Sequence, residues 1–447
     1  MTDDGRLHGK DASRRRFLSR GLAAGAGGLA AATALTGRAA PAAASSSSSS
    51  APADTEPFWG AHQGGIATPT QANTYFAAFD LAARQRADVE QLLRDWTAAA
   101  ARMTAGRTAA PLGDDPMKPA GDSGEALDLK PSRLTITFGF GPGLFSKDGK
   151  DRYGLAAQRP AALVDLPRFN GDQLDAARSG GDLSVQACAD DPQVAFHAVR
   201  QLARLAYGAA DLRWVQSGFS SGSGGGAGGG CGGAIAGAGT PRNLMGFKDG
   251  TRNPAPGTGP GNLADVVWVG TEGPAWMRGG SYLVARRIRI ALDHWDRTDT
   301  DFQQAVVGRQ KLSGAPLGGH GEFDTPDFAA TDKDGNPVIP DDAHMRMGAH
   351  ETNNGALILR RAYSYNDGAM FIAERWPPWR QGISYDAGLF FLAYQKDPRT
   401  GFIRIFDRMA KLDAMNQFTT HVASAVFAIP PGASQGGFIG QGLFVQT

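Results

Sequence analysis

Three side chains in this sequence have the types and settings to do chemistry together. Asp249 sits in Gly246-Phe247-Lys248-Asp249-Gly250-Thr251-Arg252-Asn253-Pro254. Gly246 and Gly250 let that backbone turn sharply and come close to a ligand. A carboxylate held there can take up a proton and give it back. His344, in Asp342-Ala343-His344-Met345-Arg346, can offer a ring nitrogen to a metal, and His350 in the same segment is a competitor. Arg360 ends the apolar run Ala356-Leu357-Ile358-Leu359 and can stabilise developing negative charge. Arg361 is adjacent, but successive strand residues face opposite ways, so only one of the two reaches a shared site. Singly, each residue has an ordinary explanation: an Asp-Gly turn, a loop histidine, a solvated strand end.

The elements around these residues repeat one order. Residues 73–82 carry the aromatics and aliphatics of a buried strand. Val89, Leu92, Leu93 and Trp96 give residues 85–107 a helical face. Residues 133–140 alternate Leu134, Ile136, Phe138 and Phe140, and 183–189 read as another strand. Asp190-Asp191-Pro192 caps a helix that runs through Val194, Ala198, Val199, Leu202 and Leu205, and 212–219 closes the half as a strand. The second half has strands at 282–290, 356–365, 387–395 and 424–429, with helices at 300–307 and 402–418. Strand-helix-strand-strand-helix-strand, twice, is the tandem ferredoxin-like (βαββαβ) pattern, of α+β class, with antiparallel sheets and helices on one face.

The chain of 447 residues carries a net charge of +1, distributed unevenly. Arg6, Lys10, Arg14, Arg15, Arg16, Arg20 and Arg38 outweigh Asp3, Asp4 and Asp11, so the body after residue 44 is mildly acidic. Such a body gives no electrostatic footprint for nucleic acid. Ser13-Arg14-Arg15-Arg16-Phe17-Leu18-Ser19, an Ala/Gly/Leu run and Ala42-Ala43-Ala44 make an export signal of the twin-arginine type over 1–44, cleaved near Ala44. The apolar run is too short and weak for a stable transmembrane segment. The expected product is extracellular, periplasmic or attached to the cell envelope. Residues 45–56 read as a Ser-rich linker, 57–220 as an N-terminal unit, 221–240 as a Gly-rich insert and 241–447 as a C-terminal unit. The insert lacks the Lys-Ser/Thr of a phosphate cradle. Cys188 and Cys231 have no metal-like spacing, which argues against zinc and iron–sulfur sites. Export would permit a disulfide between them, and two free thiols are equally compatible.

The Asp249 string, the His344 segment and Arg360-Arg361-Ala362-Tyr363-Ser364-Tyr365 together resemble the dye-decolourising peroxidases. So do Phe58-Trp59-Gly60-Ala61-His62-Gln63-Gly64-Gly65-Ile66, Thr135 to Gly141, Ser313 to Gly318 and Asn416-Gln417-Phe418-Thr419-Thr420-His421. The resemblance covers about Pro57 to Phe444, and the signal matches an exported branch that includes a deferrochelatase-type peroxidase. It implies a dimeric α+β barrel binding one haem b per chain in the C-terminal unit. It implies His344, rather than His350, as proximal iron ligand, Asp249 as distal acid and Arg360 as distal arginine. Leu389 and Phe391 would wall the pocket, Arg309 would pair with a propionate, and Asp397 would accept the second ring proton of His344.

The implied activity is reduction of hydrogen peroxide, through an oxyferryl state, with one-electron oxidation of small organic or dye-like donors. Tyr363, Tyr365, Tyr394 and Trp379 are candidate electron relays. The implied partners are the peroxide, the donors and the twin-arginine export machinery, with a homo-oligomer left open. The alternatives are an exported haem-binding or delivery protein and a deferrochelatase; chlorite dismutation has no need of the aspartate motif. Two departures stand out: the Gly-rich insert before the Asp249 motif, and Ala362 where relatives often carry Gly or Asn.

Overall fold

Alternation along the strands sets two cores back to back. In β1 (Asn73–Leu81) Ala77 and Phe79 face one way, while Phe76 and Ala78 face the other. Both sides are fully buried, so this sheet has helices on one face and protein on the other. The computed structural model describes residues 54–220, 239–257, 261–373 and 381–445, with strand residues 229–230 and 233–234. The first half supplies β1, β2 (Thr135–Phe140), β3 (Leu183–Ala189) and β4 (Ala210–Phe219). Short strands β5 (Gly229–Gly230) and β6 (Gly233–Ala234) pair within the Gly-rich insert. The second half supplies β7 (Ser281–Ile290), β8 (Leu359–Arg360), β9 (Tyr363–Ala373), β10 (Gln381–Gln395) and β11 (Thr419–Ile429).

The strand order resolves into β4-β1-β3-β2 and β11-β7-β10-β9, the same ferredoxin-like order twice. Each half pairs extensively within itself. Between halves the ladder is a single pair at each seam, Phe219 with Ser364 and Ala428 with Phe140. The two seams close the sheets into a barrel whose interior holds Phe76, Trp214, Leu283, Tyr363, Phe390, Tyr394 and Phe427. The Arg86–Thr104 and Pro192–Leu205 helices cover the outer face of the first sheet, and Trp96 ties them by donating from Nε1 to the Leu202 carbonyl at 2.8 Å. Asp191 caps the second of these helices, its carboxylate accepting from the Gln193 and Val194 amides, with Pro192 in the first turn.

Several sequence-derived boundaries change; β10, for one, starts at Gln381 rather than at 387. The strand expected at 356–365 is interrupted: β8 ends at Arg360 and β9 starts at Tyr363, continuing past Asn366-Asp367-Gly368 to Ala373. The helix expected at 402–418 stops at Leu412, because Asp413 caps a separate 3-10 turn, Ala414–Gln417. The last strand begins at Thr419 rather than at 424. Cys188 is a buried free thiol, and Cys231 lies outside the described residues. Among the described residues no helix is long and apolar enough to cross a membrane.

The long connection between the first helix and β2 is stapled down by buried charge. His197, on the second helix, places Nε2 3.3 Å from Asp122 and Nδ1 3.2 Å from Glu125. Burial works to raise the Glu125 pKa, but the Ser123 hydroxyl, its own amide and His197 outweigh it and hold the group at about 2. A depressed carboxylate contributes stability above its unfolded value and loses it as pH falls toward its folded one. Acid titration of unfolding should therefore show loss of roughly 2–3 kcal/mol between about pH 4.5 and 2 that Glu125→Gln abolishes. An unchanged acid limb in that variant would show that Glu125 does not anchor the loop.

Candidate active site

The Asp249 loop is shaped by glycines and pinned by one glutamate. Gly246 and Gly250 adopt φ +85° and +115°, which side chains resist. The Asp249 amide donates to Pro241 O at 2.8 Å, and Asn243 Nδ2 reaches its carboxylate at 3.5 Å. Glu322 gathers the loop from outside, accepting from Thr251 Oγ1 at 2.9 Å and from Thr240 and Lys248. These donors, led in effect by the Lys248 contact, overcome burial and keep the Glu322 pKa low. Arg252 takes the left-handed conformation at φ +60°, where an Nη2 bond to Glu351 at 2.6 Å holds it.

Asn253 carries the loop to the arginine. Its Nδ2 donates to Arg360 O at 2.7 Å while its Oδ1 accepts the Arg360 amide at 2.9 Å. This clamp fixes β8 against the loop. Arg360 Nη1 then lies 3.7 Å from Asp249 Oδ1, and Nη2 donates to Thr251 O at 3.0 Å. Arg361 points the other way, donating to Thr68 O and Gln71 Oε1, so strand alternation selects Arg360.

His344 opens the short His344–Gly348 helix. Its Nδ1 lies 2.6 Å from Asp413 Oδ2, which leaves Nε2 for a ligand. The side chain is 41 % exposed, yet the surrounding protein desolvates it. Burial disfavours the charged ring, but Asp413, and more weakly Asp249, outweigh burial and Arg360, so its pKa is raised. His350 instead bonds Glu351 through Nδ1 at 2.7 Å.

The expectation for Asp397 is corrected: its carboxylate is occupied by the Arg399 guanidinium at 2.7 Å in the turn before the Phe402–Leu412 helix. Asp413 takes the expected role, with Oδ1 capping Met415 N at 2.8 Å and Oδ2 on the ring. The break in the helix was the missed signal, since a carboxylate after Leu412 caps a new turn. Asn253 and Glu322 were also missed, the first because it read only as motif context.

Leu389 and Phe391 are half-buried on β10 and alternate with the fully buried Phe390 and Leu392. Arg309 is 6 % exposed and donates from Nη1 to Gly314 O at 2.6 Å and Glu322 O at 2.9 Å. Burial and the neighbouring Arg252 and Arg360 charges lower its pKa to about 10. Of the candidate relays, Tyr363, Tyr365 and Tyr394 lie in the barrel interior at 1 % exposure or less. Trp379 lies outside the described residues.

Known proteins share this sequence and fold. The Dyp-type peroxidase N-terminal family model matches residues 63–220, and the C-terminal model matches 240–434. The dye-decolorizing peroxidase of Thermobifida fusca is 38 % identical over 394 residues, 86 % of this chain and 84 % of that one. The deferrochelatase of Escherichia coli (strain K12) is 37 % identical over 384 residues, 85 % and 84 % of the two chains. The oxyferrous/water mixed complex of DtpA from Streptomyces lividans superposes with a TM-score of 0.77 at 42 % identity, covering 88 % of this chain and 98 % of that one. The chain belongs to the Dyp-type peroxidase family; it is a haem peroxidase of the α+β barrel fold.

The residues present fit a haem. A histidine with Nδ1 engaged leaves Nε2 for iron. The half-buried Leu389 and Phe391 offer apolar surface, and the mutually repelling Arg252, Arg309 and Arg360 suit a group with two carboxylates. Asp413→Asn should keep the fold but weaken haem retention roughly 10–100-fold, since an amide is a poorer acceptor for the ring N–H. Haem loss rates measured by transfer to apomyoglobin check this, and equal rates would remove Asp413 from the ligand's support.

Proposed function

We propose that His344 holds haem b through Nε2 and that Asp249 and Arg360 perform peroxide cleavage beside it, with organic donors then oxidised one electron at a time. The observation that carries this reading is the convergence of Asp249 and Arg360, 3.7 Å apart, on a histidine whose other nitrogen is bound to Asp413. Haem, when bound, supplies the iron to which peroxide coordinates and the electrons that reduce it. Asp249 would take a proton from one peroxide oxygen and return it to the other, which would leave as water. Arg360 stabilises the negative charge that builds on that oxygen as the bond breaks. Arg309 and Arg252 would supply positive charge for the propionates of a bound haem.

The twin-arginine signal supports export in the folded, haem-loaded state, with work outside the cytoplasmic membrane. Stopped-flow absorption of the haem-loaded protein with one equivalent of peroxide tests the activity. A rapid change in the haem bands, reversed faster by added dye, supports it; slow bleaching alone would leave a haem carrier. The deferrochelatase relatives favour one second reading, removal of iron from intact haem, for which free protoporphyrin is the product to seek.

A further inference from the structure

Asp413 faces two ways. Besides holding His344, it lines a cavity of about 270 Å³ that opens to solvent. Phe406 and Ala410 supply apolar wall, and Asn170, Asn416 and His421 supply polar groups. His421 is set as a donor. Its Nδ1 lies 3.0 Å from Arg286 Nε, which can only donate, so the ring hydrogen sits on Nε2. Burial, then the Arg286 charge, push its pKa well down and keep the ring neutral. No acceptor among the described residues takes the Nε2–H. The ring rests on Phe406, centroids 4.5 Å apart, which continues the aromatic wall. The cavity thus combines apolar lining from Phe406 and Ala410, one neutral N–H donor and a buried carboxylate. Lys411, also lining it, is paired with Asp407 at 2.8 Å.

We propose that this cavity binds a small neutral phenol and serves as an electron-donor site behind the His344–Asp413 pair. This rests on the peroxidase reading above. The phenol ring packs against Ala410 and the exposed part of Phe406, and its oxygen accepts from His421. Asp413 repels a carboxylate, so benzoate is excluded. The phenol O–H bond breaks; its electron goes to the peroxide-oxidised haem along the Asp413–His344 hydrogen bond, and its proton goes to solvent through the cavity mouth. The balance is one peroxide and two phenols to two waters and two phenoxyl radicals.

The test is calorimetric titration of the haem-loaded protein with 4-methylphenol and with benzoate, on the parent, Ala410→Phe and Ala414→Phe. Both substitutions fill the cavity from different walls, so one remains decisive if the other fails to fold. Phenol should bind the parent at one site, and each folded variant should bind it at least about tenfold more weakly, with haem content and melting temperature unchanged. Benzoate should bind at least about tenfold more weakly than the phenol. Absent phenol binding in the parent, undiminished binding in a folded variant, or equal binding of benzoate would each overturn the proposal. Peroxide consumption is followed in parallel. Its absence from the parent would refute the peroxidase reading instead, while unchanged consumption in the variants separates the cavity from the peroxide step.

Discussion

His344→Ala protein should purify folded and without haem. The fold does not depend on this ring, which starts a five-residue helix and is 41 % exposed. What the substitution removes inside the protein is one hydrogen bond, leaving Asp413 with its Met415 cap and an unpaired oxygen at a cost of about 1–3 kcal/mol. A barrel closed at two seams, with cores on both faces of its sheets, tolerates that loss. Haem does not tolerate it. Loss of a group supporting a ligand weakens binding roughly 10–100-fold, and loss of the ligand itself must exceed that. The measurement is haem absorbance per protein after reconstitution, with circular dichroism to show the fold. Normal haem retention would transfer the ligand role to His350, whose Glu351 bond makes it a second carboxylate-supported imidazole, and His350→Ala would then lose haem instead.

The parts of this molecule that were legible in the sequence are those decided by local rules. Phe76 and Phe79 fall on opposite faces because side chains alternate, and Asp191 caps because its carboxylate reaches two free amides. The errors arose where local signals compete. Asn366-Asp367-Gly368 reads as a turn, yet Gly368 at φ +93° sits inside β9, which pairs onward with β10 from Ala373 to Gln381. The apolar spacing of the 402–412 helix continues past Asp413, so the cap that ends it was hidden. Asp413 and His344 are 69 positions apart, and no spacing rule connects them. Asp397 was the nearer guess only by its place in a motif. The proposed catalytic pair, Asp249 and Arg360, stands out in the sequence because each member lies in an unusual string. The Asn253 clamp that joins them spans 107 positions and shows only in the folded chain.

Asp249→Asn should slow the reaction with peroxide by about 10²–10³-fold while leaving haem content unchanged. The amide is nearly isosteric and the loop geometry rests on Gly246, Gly250 and Glu322, so the defect is in proton transfer and not in shape. Arg360→Leu should cost a similar factor, about 10²–10³, through loss of charge stabilisation. The two side chains lie 3.7 Å apart and, on the proposed mechanism, act on one peroxide, so their effects should not add; the double variant should be little slower than the worse single one. Stopped-flow rates across the four proteins form a closed cycle that measures this coupling. Full additivity would mean that Asp249 and Arg360 act in separate steps. A normal rate for Asp249→Asn alone would assign the proton to water, leaving Arg360 as the side chain on which bond breaking depends.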